Sequence, residues 1–344
     1  MTPVSEREYE AALANVLPEP APVADGVWVV PLALPTGTVP YTLTYLIRDA
    51  GGGIHVIDPG FDTDGNWWSL MSMLTSIGSR PADIASIIVT HLHPDHFGMA
   101  TRLRAATSAP ILLHRRENEA LTALIAAAPH LTDIQSRLSE EWGVPADRRP
   151  ELEASARTPT TFTGTGTGAG IPAADRIADV LLGDGELLPV PGRRIEVILT
   201  SGHTPGHICL RDPDARLLFS GDHVLPMVVG GLGLGGRTPE NPIRACLASL
   251  DAVRPYDDHV VLPGHGYRFT GLRERCDAIE AHHRRRSADV AAVIAELGDP
   301  TIWQIAERVR WSPGWANMRD FLLVSALAQT AMHVDFLATE PAAA

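Results

Sequence analysis

The segment HLHPDH, residues 91–96, constrains this chain more than any other feature. It follows directly on an apolar run, residues 84–90, that is short and rich in β-branched side chains and therefore reads as a buried strand. Pro94 forbids a regular helix running through the motif, so His91 and His93 are expected on extended chain, where residues two apart point to one side. Two imidazoles on one side can meet one metal ion. Asp95 and His96 then face elsewhere and are able to serve a second ion, since imidazole and carboxylate are usual Zn²⁺ ligands. With His at 14 of 344 positions, three of them and an Asp within six residues form a specific pattern. The alternative is a set of surface or capping residues.

Three later segments sharpen this reading. TSGHTPGH places His203 in a Gly/Pro turn after a strand, LFSGD places Asp222 at the tip of another, and VVLPGHG does the same for His265. Taken singly, each reads as a capped strand end. In this order after HLHPDH, each becomes an apolar strand that delivers one metal-capable residue at its C-terminal end, where a rigid sheet presents functional groups.

The rest of the chain supplies a frame for these strand ends. Strands are expected at 26–34, 41–49, 54–58 and 110–114, with helices at 67–77 and 97–106 between them. Residues 115–180 read as an inserted helical cap that ends in a flexible Thr/Gly-rich loop, 158–170. Strands return at 187–190, 195–200, 207–211, 217–220 and 259–262. Helices then follow at 274–297, 301–310 with Thr301 as N-cap, and 318–337. The expected division is a first domain over 1–274, cap included, and a helical second domain over 275–344. The run GGLGLGG at 230–236 reads as a mobile loop beside Asp222. It lacks the strand before and helix after that a dinucleotide fingerprint needs.

Composition narrows the partners. The chain carries 41 acidic residues against 28 basic ones, all arginine, for a formal charge of −13. Such a balance repels phosphate backbones and weighs against nucleic acid as a partner. Cys209, Cys246 and Cys276 are odd in number and far apart, so no disulfide framework or paired-cysteine metal site is expected. The acidic N-terminus lacks the basic start and apolar run of a signal peptide. No stretch reaches the roughly 18 apolar residues of a membrane span, so a cytoplasmic protein without membrane contact is expected.

The motifs HLHPDH, SGHTPGH, FSGD and PGHG together resemble the metallo-β-lactamase-fold superfamily of metallohydrolases, over about residues 25–270. The resemblance implies an α/β fold, a four-layered αββα sandwich with metals at one edge of the paired sheets. It implies that His91, His93 and His203 bind one metal, that Asp95, His96 and His265 bind the other, and that Asp222 bridges both. It also implies that Asp58, in VIDPG, orients a metal-bound histidine, although a turn cap before Pro59 weighs equally there. His207 and His223 stand beside ligands and are expected to support them. His114, at a strand end, is expected at the surface. The flavodiiron oxidoreductases of the superfamily resemble this segment with Glu in place of His93, which argues here for hydrolysis.

The tail resembles the winged-helix domain of a subgroup related to the β-lactamase-like-protein-2 hydrolases, through AHHRRR, TIWQIAERVRW and the last helix, with no room for a strand-built wing. Residues 278–344 hold six Arg against eight acidic residues, so the tail lacks the basic face of a DNA reader. It is expected to pack or to form a homodimer beside the active-site mouth. The implied function is a hydrolase with two divalent metal ions, zinc first and iron or manganese as alternatives. Such ions lower the pKa of a shared water toward about 7, and a partly apolar ester, thioester or lactone suits the cap. Asp95 is also a candidate for steering that water or moving its proton. A single-strand endoribonuclease, a nucleic-acid-binding regulator acting through the tail, and a mononuclear iron dioxygenase are the alternatives.

Overall fold

The computed structural model describes residues 1–35, 39–157, 177–236 and 238–339. In chain order the strands are β1 (Thr2–Pro3), β2 (Ala21–Ala24), β3 (Val27–Ala33), β4 (Tyr41–Arg48), β5 (Ile54–Ile57), β6 (Ile84–Val89), β7 (Ile111–His114) and β8 (Val180–Leu182). They continue with β9 (Glu196–Leu199), β10 (Ile208–Asp212), β11 (Leu217–Gly221), β12 (Val260–Pro263) and β13 (Phe269–Thr270). One sheet runs β2-β3-β4-β5-β6-β7-β8, antiparallel up to β5 and parallel from β5 to β8. The other runs β1-β13-β12-β11-β10-β9, antiparallel except for the β11/β12 pair.

Both faces of each sheet are covered, which is why the central strands read as continuous apolar runs. Along β4, Tyr41, Leu43, Tyr45 and Ile47 enter the core between the sheets, whereas Leu46 faces the helices outside. Along β11, Leu217 and Phe219 face inward and Leu218 outward. The period of two thus splits each run between two cores. Helices Asp64–Ser76, Ala100–Thr107 and Arg115–Ala127 close one outer face, and Pro242–Val253 with the start of Leu272–Leu297 closes the other. The result is the four-layered αββα sandwich.

Two local readings need correction. The stretch 187–190 forms no strand and keeps only a bridge from Leu187 to Glu196. The expected helix at 97–106 is two pieces, Pro94–Phe97 and Ala100–Thr107. Pro94 starts the first piece, because the first helical position needs no N–H donor, and His93 before it stays extended as expected. Thr301 caps its helix, accepting from the Gln304 N–H while the Gln304 side chain accepts from the Thr301 N–H.

The helix Leu272–Leu297 runs unbroken through residue 275, and no strand follows it among the described residues. Its first half packs Cys276 and Ile279 against the sheet, and its second half places Val290 in a separate core. That core joins Trp142, Val144 and Leu152 of the insert to Trp303, Ile305, Trp311, Leu323 and Leu327 of the tail. The Thr/Gly-rich run 158–170 lies outside the described residues. Helix Asp320–Thr339 is long and apolar enough to cross a membrane by length and composition, yet it buries Leu323, Ala326, Leu327, Thr330, His333 and Phe336 against the protein. All three cysteines are free and buried, with thiol pKa values pushed up to about 12 by burial.

Candidate metal centre

Four segments at the edge of the paired sheets converge on one point. β6 runs into Thr90 and the turn that carries His91, His93, Asp95 and His96. His203 follows β9, Asp222 follows β11, and His265 follows β12. The structure brings these seven side chains into two donor groups, His91/His93/His203/Asp222 and Asp95/His96/His265, with the donor atoms of each group within 4.8 Å of one another.

In the first group, His91 Nε2 and His203 Nε2 lie 3.0 and 3.1 Å from His93 Nδ1. In the second, His265 Nε2 lies 3.2 Å from Asp95 Oδ2 and 3.4 Å from His96 Nε2. Asp222 stands between them. Its Oδ2 is 3.6 Å from His203 Nε2 and 3.4 Å from His265 Nε2, and its Oδ1 is 3.4 Å from His96 Nε2.

Each imidazole is held by its outward nitrogen, and these partners assign the tautomers. His93 Nε2–H donates to the Leu234 carbonyl at 3.0 Å, His203 Nδ1–H to that of Gly231 at 2.6 Å, and His265 Nδ1–H to that of Tyr41 at 2.7 Å. His96 Nδ1–H donates to Asp58 Oδ2 at 2.8 Å. His91 Nδ1–H reaches Thr90 Oγ1 at 3.0 Å, and that hydroxyl donates to the same Asp58 oxygen at 2.7 Å. The outward nitrogens therefore carry the protons, and five lone pairs point inward together with two carboxylates. Lone pairs only 3.0 to 3.4 Å apart repel unless a cation or a proton lies among them. Asp222 Oδ1, buried and without a hydrogen-bond partner among the described residues, points the same way. Donor chemistry and geometry both fit divalent metal.

The electrostatics divide the two groups. Burial, reinforced by neighbouring imidazoles, pulls His91 well below the ordinary histidine range and pushes His93 down to about 3. Burial also lowers His203. At His96 and His265 burial acts the same way but is outweighed, at His96 by Asp222, Asp95 and Asp58 and at His265 by Asp222 and Asp95, so both are raised. Asp95 and Asp222 are held below the carboxylate range, because the facing imidazoles, His96 and His265 foremost, overcome their burial. Protons and metal thus compete for the second group, the usual behaviour of a metal site.

Asp58 has a backbone φ of +51° and receives the Thr90 N–H at 2.7 Å as well as the Thr90 hydroxyl and His96. One carboxylate thereby orients His96 directly and His91 through Thr90. His207 accepts the Asp222 N–H on Nε2 at 3.1 Å and lies 2.8 Å from Thr200 Oγ1 through Nδ1. His223 joins neither donor group; burial pushes it down to about 4. His114 is not at the surface. It is buried and accepts the Arg116 N–H, capping the helix Arg115–Ala127.

Sequence reasoning missed Glu117. This fully buried carboxylate accepts the Leu92 N–H at 2.7 Å and the Gly206 N–H at 2.6 Å, and so joins the turn that bears four donors to the turn that bears His203. Burial pushes its pKa up to about 7, against the Leu92 and Gly206 N–H groups that favour the charge. Gly264 was also missed as a requirement. A Cβ there would stand 2.5 Å from Asp222 Oδ1 and 2.6 Å from His96 Cε1, inside the donor cluster.

Comparisons with known proteins give the family. Residues 37–265 match the family model of the metallo-beta-lactamase superfamily. The probable metallo-hydrolase YqjP of Bacillus subtilis is 24% identical over 91% of this chain and 93% of its own length. A hydroxyacylglutathione hydrolase of Ruegeria pomeroyi is 32% identical over 36% of this chain, and a beta-lactamase-like protein 2 homolog of Caenorhabditis elegans is 27% identical over 39%. The match spans 47% and 42% of the length of those two relatives. Among solved structures, a metallo-beta-lactamase family protein of Thermus thermophilus superposes with a TM-score of 0.69 at 25% identity, over 92% of this chain and 94% of that one.

Proposed function

The chain belongs to the metallo-β-lactamase superfamily, and on that premise we propose that it is a dinuclear metal-dependent hydrolase, most simply of zinc, that cleaves an ester or thioester of a small, partly apolar molecule. The observation that carries the two-metal reading is the position of Asp222, with one carboxylate facing both donor groups. When bound, a pair of divalent ions supplies a water of lowered pKa and a Lewis acid for the carbonyl oxygen.

The chain's own residues do the rest. Asp58, Thr90 and the carbonyls of Tyr41, Gly231 and Leu234 lock the imidazoles in one tautomer, so the donors need little reorganisation on binding. Asp95 is the most exposed donor, its side chain 23% accessible against 9% or less for Asp222 and the paired histidines. Its carboxylate is placed to orient an incoming water and to accept a proton. Leu124 of the insert approaches the glycine loop that carries Leu234. An apolar side chain against that loop suits a partly hydrocarbon acyl group. The hydroxyacylglutathione hydrolases among the relatives support thioesters as the first substrates to try.

The test is elemental analysis of zinc-reconstituted protein, paired with a panel of glutathione thioesters, simple esters and lactones. Two ions per chain are expected, falling to about one in His265→Ala with loss of turnover. A single ion in the unaltered protein, or two ions and no turnover of any panel member, overturns the reading.

A further inference from the structure

A small cleft of about 80 Å³, partly open to solvent, lies between the glycine loop and the C-terminal helices, and none of the seven donors lines it. Leu232, Ile243 and Met332 form its apolar wall, and His283, His333 and Gln329 its polar one. His283 is 6% exposed and His333 4%. The His283 Nε2 atom is buried and has no hydrogen-bond partner among the described residues. His333 is tied through Nδ1 to Ser287 Oγ at 2.9 Å. His283 is part of the cleft wall, and an unpaired buried imidazole is a group that a polar ligand atom can satisfy.

The surrounding charge selects the kind of ligand. The charged groups acting on His282, His283 and His333, apart from one another, are Arg275, Arg285 and Arg286, with no carboxylate among them. Arg275 donates to the carbonyls of Leu225 and Val228, and Arg286 to that of Arg310. Asp289 acts on Arg286. In a chain of net charge −13, this is a local positive field over an apolar wall. Burial, with the neighbouring cations, pushes His283 down to about 4 and His333 to about 3, so at neutral pH each ring keeps one N–H to donate.

We propose that this cleft binds a small organic carboxylate, with its head on His283 and Gln329 and its hydrocarbon chain against Leu232, Ile243 and Met332. The lining, an apolar wall facing imidazole and amide groups, matches the character of small-molecule sites. The same loop carries the Gly231 and Leu234 carbonyls that hold His203 and His93, and a Cβ on Gly233 would meet Met332 Cε at 2.6 Å. An acid seated in the cleft therefore firms the loop that aligns two metal donors. Binding does not depend on the hydrolase reading. Its biological sense does rest on that reading, because ester or thioester cleavage releases a carboxylate of this class.

The test titrates the zinc-loaded full-length protein with hexanoate, read by calorimetry and by the imidazole NMR signals, beside the neutral hexanamide. Saturable hexanoate binding is expected, with hexanamide weaker by about tenfold or more. His283→Phe and Gln329→Leu should each weaken hexanoate by about fivefold or more at unchanged zinc content. Gln329 is only half-buried, so its variant keeps the test alive if His283→Phe does not fold. A dissociation constant that neither variant moves puts the acid on the metals and overturns the proposal. Equal binding of hexanamide, or no saturable binding, overturns it as well. No turnover enters the readout, so a protein that binds hexanoate yet hydrolyses nothing fails only the hydrolase reading.

Discussion

Glu117 shows how much of the metal centre rests on a side chain that never touches it. Its two oxygens satisfy backbone donors 25 and 89 residues away, at Leu92 and Gly206, and hold two donor-bearing turns at a fixed separation. In Glu117→Gln one oxygen remains to accept, while the new amide turns its N–H₂ toward the other N–H. An unsatisfied buried donor costs about 1–3 kcal/mol. The expected outcome is a lower urea midpoint together with faster zinc loss to a chromogenic chelator, and unchanged chelator kinetics would show that the two turns hold without it. Nothing in RRENE at 115–119 announces this role, because backbone N–H groups are the same at every residue and leave no spacing to read. Asp58 was singled out by contrast, but only through the resemblance that VIDPG carries, with a turn cap weighing equally.

At the scale of elements, strand ends aim the chemistry and helices set its surroundings. Helix Asp320–Thr339 buries His333 against His283 on Leu272–Leu297, their ring centroids 6.4 Å apart. Both rings stay neutral in the folded chain to well below their ordinary pKa of about 6.5. The unfolded chain takes up protons first as pH falls, so stability from this packing is full above about pH 6.5. It is lost progressively as pH drops toward the folded values. With a folded pKa of about 3, His333 alone accounts for about 2 kcal/mol lost between pH 7 and pH 5. Urea unfolding of His333→Phe at those two pH values should show a loss smaller by that amount, and an undiminished loss would place the acid sensitivity elsewhere. The helices themselves were readable from capping and periodicity. The split at Gly98 was not, because Pro94 suits a helix start as well as it blocks a helix interior.

In the whole molecule, the insert and the tail, distant in sequence, share one core. Trp142 is its hinge point, packed among the tail side chains and accepting the Trp303 N–H through its carbonyl at 2.9 Å. Trp142→Ala should cost about 3–5 kcal/mol. Hydrogen exchange is expected to quicken in both the Leu131–Glu141 helix and the Ile302–Arg308 helix while the central strands stay protected. Faster exchange in the insert alone would show that the tail stands without it.

The sequence by itself determined the donor inventory and the layered α/β frame. The inventory is written locally, in HLHPDH and in single donors at the ends of apolar strands, and the frame came through the family resemblance that those motifs carry. Only the tertiary structure decided how seven donors divide around Asp222 and which carbonyls fix their tautomers. It alone revealed that Glu117 braces two turns and that a cleft with an unpaired His283 lies behind the glycine loop. These features depend on the distance between backbone atoms and side chains that lie far apart in sequence. Spacing along the chain encodes which groups an element presents; the packing of elements encodes which groups meet.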